Sequence, residues 1–194
     1  MASDPPTVVG VVGSLRDASV TRDAVRVALR AAERTGGETS MLDLREYDLP
    51  VFDPDHDDAG DAETVRRTLR SADSVVVGTP MYHGSYSSAL KNCLDYCGFD
   101  EFDNTTVGLL AVSGGRFPVT ALEHLRSVCR SVNAWVIPHQ AAVPNSSDAT
   151  YQGEFTDESL EDRVETLGEE AVRYARIEPD PRSFESTENV GAEH

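Results

Sequence analysis

Apolar residues recur along this chain with two periods. Short, nearly unbroken β-branched runs alternate with longer stretches in which apolar positions return every three or four residues. The runs at residues 7–12, 38–44, 74–79, 105–112 and 134–137 predict strands. Between them, Val20, Ala24, Val27, Ala28 and Ala31 predict a helix that Gly36 and Gly37 stop. Ala62, Val65, Leu69 and Ala72 predict a short second helix. Tyr86, Ala89, Leu90, Cys93, Leu94 and Cys97 predict a strongly amphipathic third. Val119, Leu122, Leu125, Cys129 and Val132 mark a fourth. Leu160, Val164, Leu167, Ala171 and Tyr174 mark the last, with Thr156 expected as its N-cap and Asp157 and Glu158 in its first turn. Residues 45–60, with two prolines and the acidic cluster Asp53, Asp55, Asp57 and Asp58, read as a loop.

Continuous rather than alternating apolar strands are the mark of a parallel sheet covered on both faces. Right-handed crossovers then predict a doubly wound, three-layer α/β domain over residues 1–178. The periodic pattern stops near Glu178, so residues 179–194 are expected to form a mobile tail.

Charge narrows the function. Seventeen basic against 34 acidic residues leave a formal net charge of −17. A field of that sign repels nucleic acid and anionic lipid. Lys91 is the only lysine. An acidic surface with arginine in place of lysine, around a normally apolar core, suits a cytoplasm rich in salt, where carboxylates hold water and their repulsion is screened. The sequence contains no membrane-length apolar run and starts with no basic, apolar export signal, so a cytoplasmic protein with reduced cysteines is expected. Cys93 and Cys97, four residues apart, have no further His or Cys nearby to complete a metal site.

In doubly wound sheets ligands sit at the carboxyl ends of strands. Three such ends carry unusual loops here. The first, residues 13–21, runs Gly-Ser-Leu-Arg-Asp-Ala-Ser-Val-Thr and opens a helix. Helix N-termini present unpaired N–H groups and a favourable dipole to an anion. Ser14, Ser19 and Thr21 add hydroxyls, and Arg16 a fork suited to phosphate, with Arg22 a second cationic candidate. The plainer alternative is that Ser19 only caps the helix and Arg16 is solvated. The second loop, Pro80, Met81, Tyr82, His83, Gly84 and Ser85, offers a partly apolar wall suited to a planar heteroaromatic ring, or else a turn whose aromatics join the core or an interface. His83 is also open to a general-acid role. The third, Ser113, Gly114, Gly115, Arg116 and Phe117, has adjacent glycines where the chain passes close to something bulky, or simply turns. No Walker phosphate loop and no G-x-G-x-x-G fingerprint is present, and the first loop has no nucleophilic cysteine.

GSLRDAS at residues 13–19, TPMYHGSYSSALKNCLDY at 79–96 and SGG at 113–115 resemble, in order and spacing, the NADPH-dependent FMN reductase family. The resemblance covers residues 7–143. It implies a flavodoxin-like sandwich with strand order 2-1-3-4-5. It implies FMN as cofactor, NADPH or NADH as electron donor, and a small-molecule acceptor: flavin, quinone, azo or nitro compound, or metal oxyanion. Ser14, Arg16, Ser19, Val20 and Thr21 would hold the phosphate; Pro80, Met81, Tyr82, His83 and Gly84 would line the isoalloxazine; Ser113, Gly114 and Gly115 would close over its other edge. Thr21 stands where the family often has Asn, and Phe117-Pro118 replaces further glycines in the third loop. The flavin would carry the chemistry in alternating, ping-pong half-reactions, with no catalytic side chain and no metal. The resemblance also implies a homodimer or homotetramer with the helix after residue 85 near the interface, where Lys91 would pair across the boundary or, alternatively, with Asp95 on its own helix. An electron carrier or an FMN-binding module without NAD(P)H oxidation are the competing readings.

Overall fold

The structure, a computed structural model, describes residues 4–177, so the tail expected at 179–194 lies outside the described residues. In chain order its elements are β1 (Thr7–Val12), α1 (Val20–Arg34), β2 (Glu38–Asp43), α2 (Ala62–Arg70), β3 (Ser74–Pro80), α3 (Ser88–Asp95), α4 (Phe99–Phe102), β4 (Thr106–Val112), α5 (Val119–Ser131), β5 (Trp135–Val143), α6 (Ser146–Ala149), β6 (Thr150–Tyr151), β7 (Glu154–Phe155) and α7 (Glu158–Arg173). Five strands form a parallel sheet in the order β2-β1-β3-β4-β5, the order expected.

Alternation along the strands sorts the side chains to two faces. Val8 and Val12 of β1, Val76 and Leu110 join Val25 and Ala28 of α1 and Val164, Leu167 and Ala171 of α7. Val9, Val11, Val75, Val77 and Leu109 face the other way, against Leu69 of α2, Leu90 and Cys93 of α3, Phe102 of α4 and Leu122 and Leu125 of α5. Helices α1 and α7 cross so closely that a Cβ on Gly168 would sit 1.9 Å from the Ala28 carbonyl oxygen. Arg176, past the end of α7, pairs with Asp73 and donates to the carbonyls of Asp4 and Pro5, tying the two ends of the described chain together.

Three local expectations are corrected. The last helix is capped by Asp157, whose carboxylate accepts the Ser159 N–H at 2.9 Å. Thr156 instead donates to the Asp148 carbonyl, which holds the small β6–β7 hairpin. The amphipathic stretch 86–97 yields a helix only over Ser88–Asp95, because Ser87 takes the N-cap and accepts from the Leu90 N–H. Strand β5 runs on to Val143 instead of ending at 137, the pairing shifting across a bulge between Val107 and Leu109. Pro138 lacks an N–H and reads as a strand end, yet an irregular edge strand tolerates it.

Candidate functional site

The sheet order reverses between β1 and β3, and a crevice opens there beyond the carboxyl ends of the strands. The first loop enters it on a tight approach. A Cβ on Gly13 would lie 2.8 Å from Leu90 Cβ and 3.0 Å from the Gly78 carbonyl oxygen. Its carbonyl accepts a 2.6 Å hydrogen bond from the Ser87 hydroxyl, so the first loop is fastened to the start of α3. Ser87 N–H in turn donates to Thr79 Oγ1 at the end of β3.

Ser19 does cap α1, accepting from Arg22 N–H at 3.1 Å. That leaves its hydroxyl proton free to donate. Ser14, Ser19 and Thr21 are buried in the crevice floor. Among the described residues, the N–H groups of Ala18, Val20 and Thr21 have no protein acceptor, as the first turn of a helix dictates. The Arg16 guanidinium makes no hydrogen bond or ion pair among the described residues and is exposed beside the crevice. Arg22, the second cationic candidate, is committed elsewhere: Nε to Asp43 at 2.5 Å, Nη1 to the Asp17 carbonyl at 2.9 Å and Nη2 to the Arg16 carbonyl at 3.2 Å.

The second loop is a two-residue reverse turn. Tyr82 and Ser85 exchange N–H···O bonds of 3.0 and 3.1 Å, and His83 and Gly84 both have positive φ, 51° and 84°. Such a turn needs φ > 0 at both central positions, which glycine supplies freely and histidine only at a cost. The turn is anchored sideways on α5, by Ser85 Oγ to His124 Nδ1 at 3.0 Å and Thr120 Oγ1 to Met81 Sδ at 3.5 Å. In the third loop the Ser113 hydroxyl is spent on the Gly115 carbonyl at 2.7 Å.

The three turns meet at one rim. A cavity of about 530 Å³ is lined by Ser14, Arg16, Ser19, Val20 and Thr21 from the first, Pro80, Met81 and Tyr82 from the second and Gly114 from the third. His83 and Gly84 sit at the tip of their turn, and Ser113 and Gly115 brace theirs; none of these four lines the cavity. Ser146 and Ser147 of α6 do line it, and sequence reasoning missed them. The signal was Pro144-Asn145, a turn pair at the true end of β5, with Asn145 left-handed (φ 50°) and its N–H donating to the Gly115 carbonyl at 3.0 Å. The cavity suits a phosphorylated planar group. One end has hydroxyl and N–H donors with an unpaired arginine, and the other has the apolar edge of Met81 and Tyr82.

Nothing nearby offers a thiolate. Burial pushes the Cys129 thiol up to about 12, and the contact of Cys97 with Cys93, followed by burial, pushes the Cys97 thiol further still from ionising. No His, Cys, Asp and Glu group suited to a metal occurs among the described residues. Lys91 pairs with Asp95 on its own helix, the second of its two expected partners. No helix among the described residues is long and apolar enough to cross a membrane.

Known proteins share this chain's sequence and fold. The family model for NADPH-dependent FMN reductase matches residues 6–148. An FMN-dependent NADPH-azoreductase of Staphylococcus aureus (strain USA300) is 33% identical over 145 residues, 72% of this chain and 77% of the relative. One of Staphylococcus saprophyticus is 34% identical over 122 residues, 60% of this chain and 64% of that protein, so the chain spans less than two thirds of its length. Among solved structures, the flavoenzyme NAD(P)H:(acceptor) oxidoreductase FerB from Paracoccus denitrificans superposes with a TM-score of 0.73 at 22% identity, over 88% of this chain and 97% of that one. The apo form of an NADH:FMN oxidoreductase superposes at 0.66 and 22% identity, over 91% and 92%. The likeness in fold and the match along most of the chain lead to one assignment: this chain belongs to the NADPH-dependent FMN reductase family.

Proposed function

We propose that this family member binds FMN in the crevice between β1 and β3 and moves a hydride from NADPH or NADH to a small aromatic acceptor. The chemistry supplied by bound flavin is acceptance of a hydride from the nicotinamide and its delivery to the second substrate. The observation that carries this reading is the convergence of three strand-end turns on one cavity, with donors at one end and an apolar wall at the other.

The chain's own residues divide the work. Arg16, the hydroxyls of Ser14, Ser19 and Thr21, and the open N–H groups at the start of α1 would neutralise and orient the phosphate. Pro80, Met81 and Tyr82 would set the plane of the ring, and Gly114, with no side chain, would leave room along its edge. His83, Gly84, Ser113 and Gly115 would act by holding their turns in shape. Tyr82 and Phe117, 51% and 76% exposed, are open to flank the donor and acceptor on the solvent side. One shared face for both substrates predicts ping-pong kinetics. The azoreductase relatives support an azo compound as the acceptor to test first. We also propose a homodimeric or homotetrameric assembly; Leu15 and Val51, exposed on an apolar trough beside α3, support it. Sedimentation reads it out.

The test is purification in concentrated salt, a flavin absorbance spectrum, and NADPH and NADH oxidation with an azo dye. Yellow protein turning over with parallel double-reciprocal lines is the expected result. Folded protein that stays colourless with added FMN would remove the reading. Yellow protein that oxidises neither nucleotide would move it to a carrier or binding module.

A further inference from the structure

We infer that Arg22, which does not line the cavity, is a positioning residue that builds the phosphate end of it by fixing the peptide planes of Arg16 and Asp17. This rests on the FMN reading above. Arg22 stands in the first turn of α1 and is mostly buried, its side chain 13% exposed. All three arms of its guanidinium are used. Nε donates to Asp43 Oδ2, and the two terminal nitrogens donate to the carbonyls of Asp17 and Arg16. A fork of this kind holds three acceptors in one plane, which an ammonium does not.

The consequence follows from peptide geometry. In a trans peptide the carbonyl and the next N–H point in opposite directions. Drawing the carbonyls of Arg16 and Asp17 toward Arg22 therefore turns the N–H groups of Asp17 and Ala18 away from it. Neither N–H has a protein acceptor among the described residues, and Arg16 and Ala18 line the cavity. Two successive N–H donors held this way are an anion-binding arrangement.

Asp43 keeps the fork in place. It ends β2 beside Val12 of β1, is 4% exposed, and accepts both Arg22 Nε and the Arg45 N–H. Arg45 then reaches back to pair with the Asp17 carboxylate, a second tie from the end of β2 to the same two-residue segment. The edge strand thus serves as the anchor for the loop, across the sheet from the ring-binding turn.

The test compares FMN with riboflavin, which lacks the phosphate, by flavin fluorescence titration of the full chain stripped of flavin, at fixed ionic strength. Wild type should prefer FMN. In Arg22→Met that preference should fall by about tenfold or more, the scale of lost hydrogen bonds to a charged group, while riboflavin affinity stays within about threefold. Asp43→Asn should move in the same direction and carries the test if Arg22→Met does not fold. Arg22→Lys should fail to restore the preference, because one ammonium replaces three directed donors. Equal losses for both flavins would show a general fold brace and overturn the inference, as would an unchanged preference or full rescue by lysine. A wild type indifferent to the phosphate would instead overturn the FMN reading, and this inference with it.

Discussion

Arg16 and Arg22 are six residues apart and take opposite parts. Arg16 is exposed with no partner among the described residues, whereas Arg22 is enclosed and spends every arm on its own protein. In a chain of net charge −17, an unpaired arginine over a floor of hydroxyls is the strongest local source of anion affinity. Arg16→Ala is expected to weaken FMN binding by about 1.5–3 kcal/mol, the range for a hydrogen bond to a charged group, with the fold intact because no internal contact is lost. Equilibrium dialysis measures it, with unchanged thermal unfolding of the apo-protein as the control. Cofactor retention equal to wild type would place the phosphate elsewhere. From sequence the two arginines look alike, since both sit near the start of the same helix. What separates them is Asp43, 21 residues away and brought beside Arg22 only by the parallel pairing of β1 with β2.

At the scale of elements, the crossing of α1 over α7 depends on one missing methyl. Alanine is a better helix former than glycine by about 1 kcal/mol, so propensity alone favours Gly168→Ala. Packing reverses the sign. The new Cβ would sit 1.9 Å from the backbone carbonyl of Ala28, and backbone has no rotamer to yield with. The substitution is expected to lower the melting temperature by about 4–10 °C, following a net loss of about 2–3 kcal/mol. A rise would mean the two helices are further apart than the structure has them. Elements also show what sequence makes legible. The five strands, the cover on both faces of the sheet and the first two loops follow from local patterns: β-branched runs, helical spacing, and turn residues placed directly after a strand; the order of the strands within the sheet is what the family resemblance implies. The end of β5 does not, because its irregular pairing with Val107 and Leu109 is a property of the neighbouring strand. With that end misplaced, Ser146 and Ser147 fell outside every candidate loop although they line the same cavity as Ser14. The Asp157 cap is a smaller case, since Thr156 and Asp157 are both good N-caps and only the Thr156–Asp148 contact decides between them.

Across the whole molecule, charge sets a competition that salt can decide. The ion pairs, such as Arg176 with Asp73 and Arg70 with the buried Glu101, are short-range attractions and favour the fold. The excess of 34 acidic over 17 basic residues is a long-range repulsion and opposes it. Screening acts unequally on the two. As salt rises from about 0.15 M to about 1 M the Debye length drops from about 8 Å to about 3 Å. Charges in contact, partly shielded from solvent, keep most of their attraction, while carboxylates 10 Å or more apart stop repelling. Repulsion therefore loses more, and the folded state should gain. We propose that this protein is adapted to concentrated salt, and expect its melting temperature to climb by about 5 °C or more between about 0.2 M and about 2 M KCl, with the reverse order of stability on dialysis to low salt. The exposed acidic loop supplies the control. Replacing the exposed Asp55, Asp57 and Asp58 together by asparagine removes no side-chain hydrogen bond or ion pair of the described residues, so it should raise stability at low salt and flatten the dependence. If melting is indifferent to KCl, or falls, then the contact pairs outweigh the distant repulsion and the acidic surface serves some purpose other than salt tolerance.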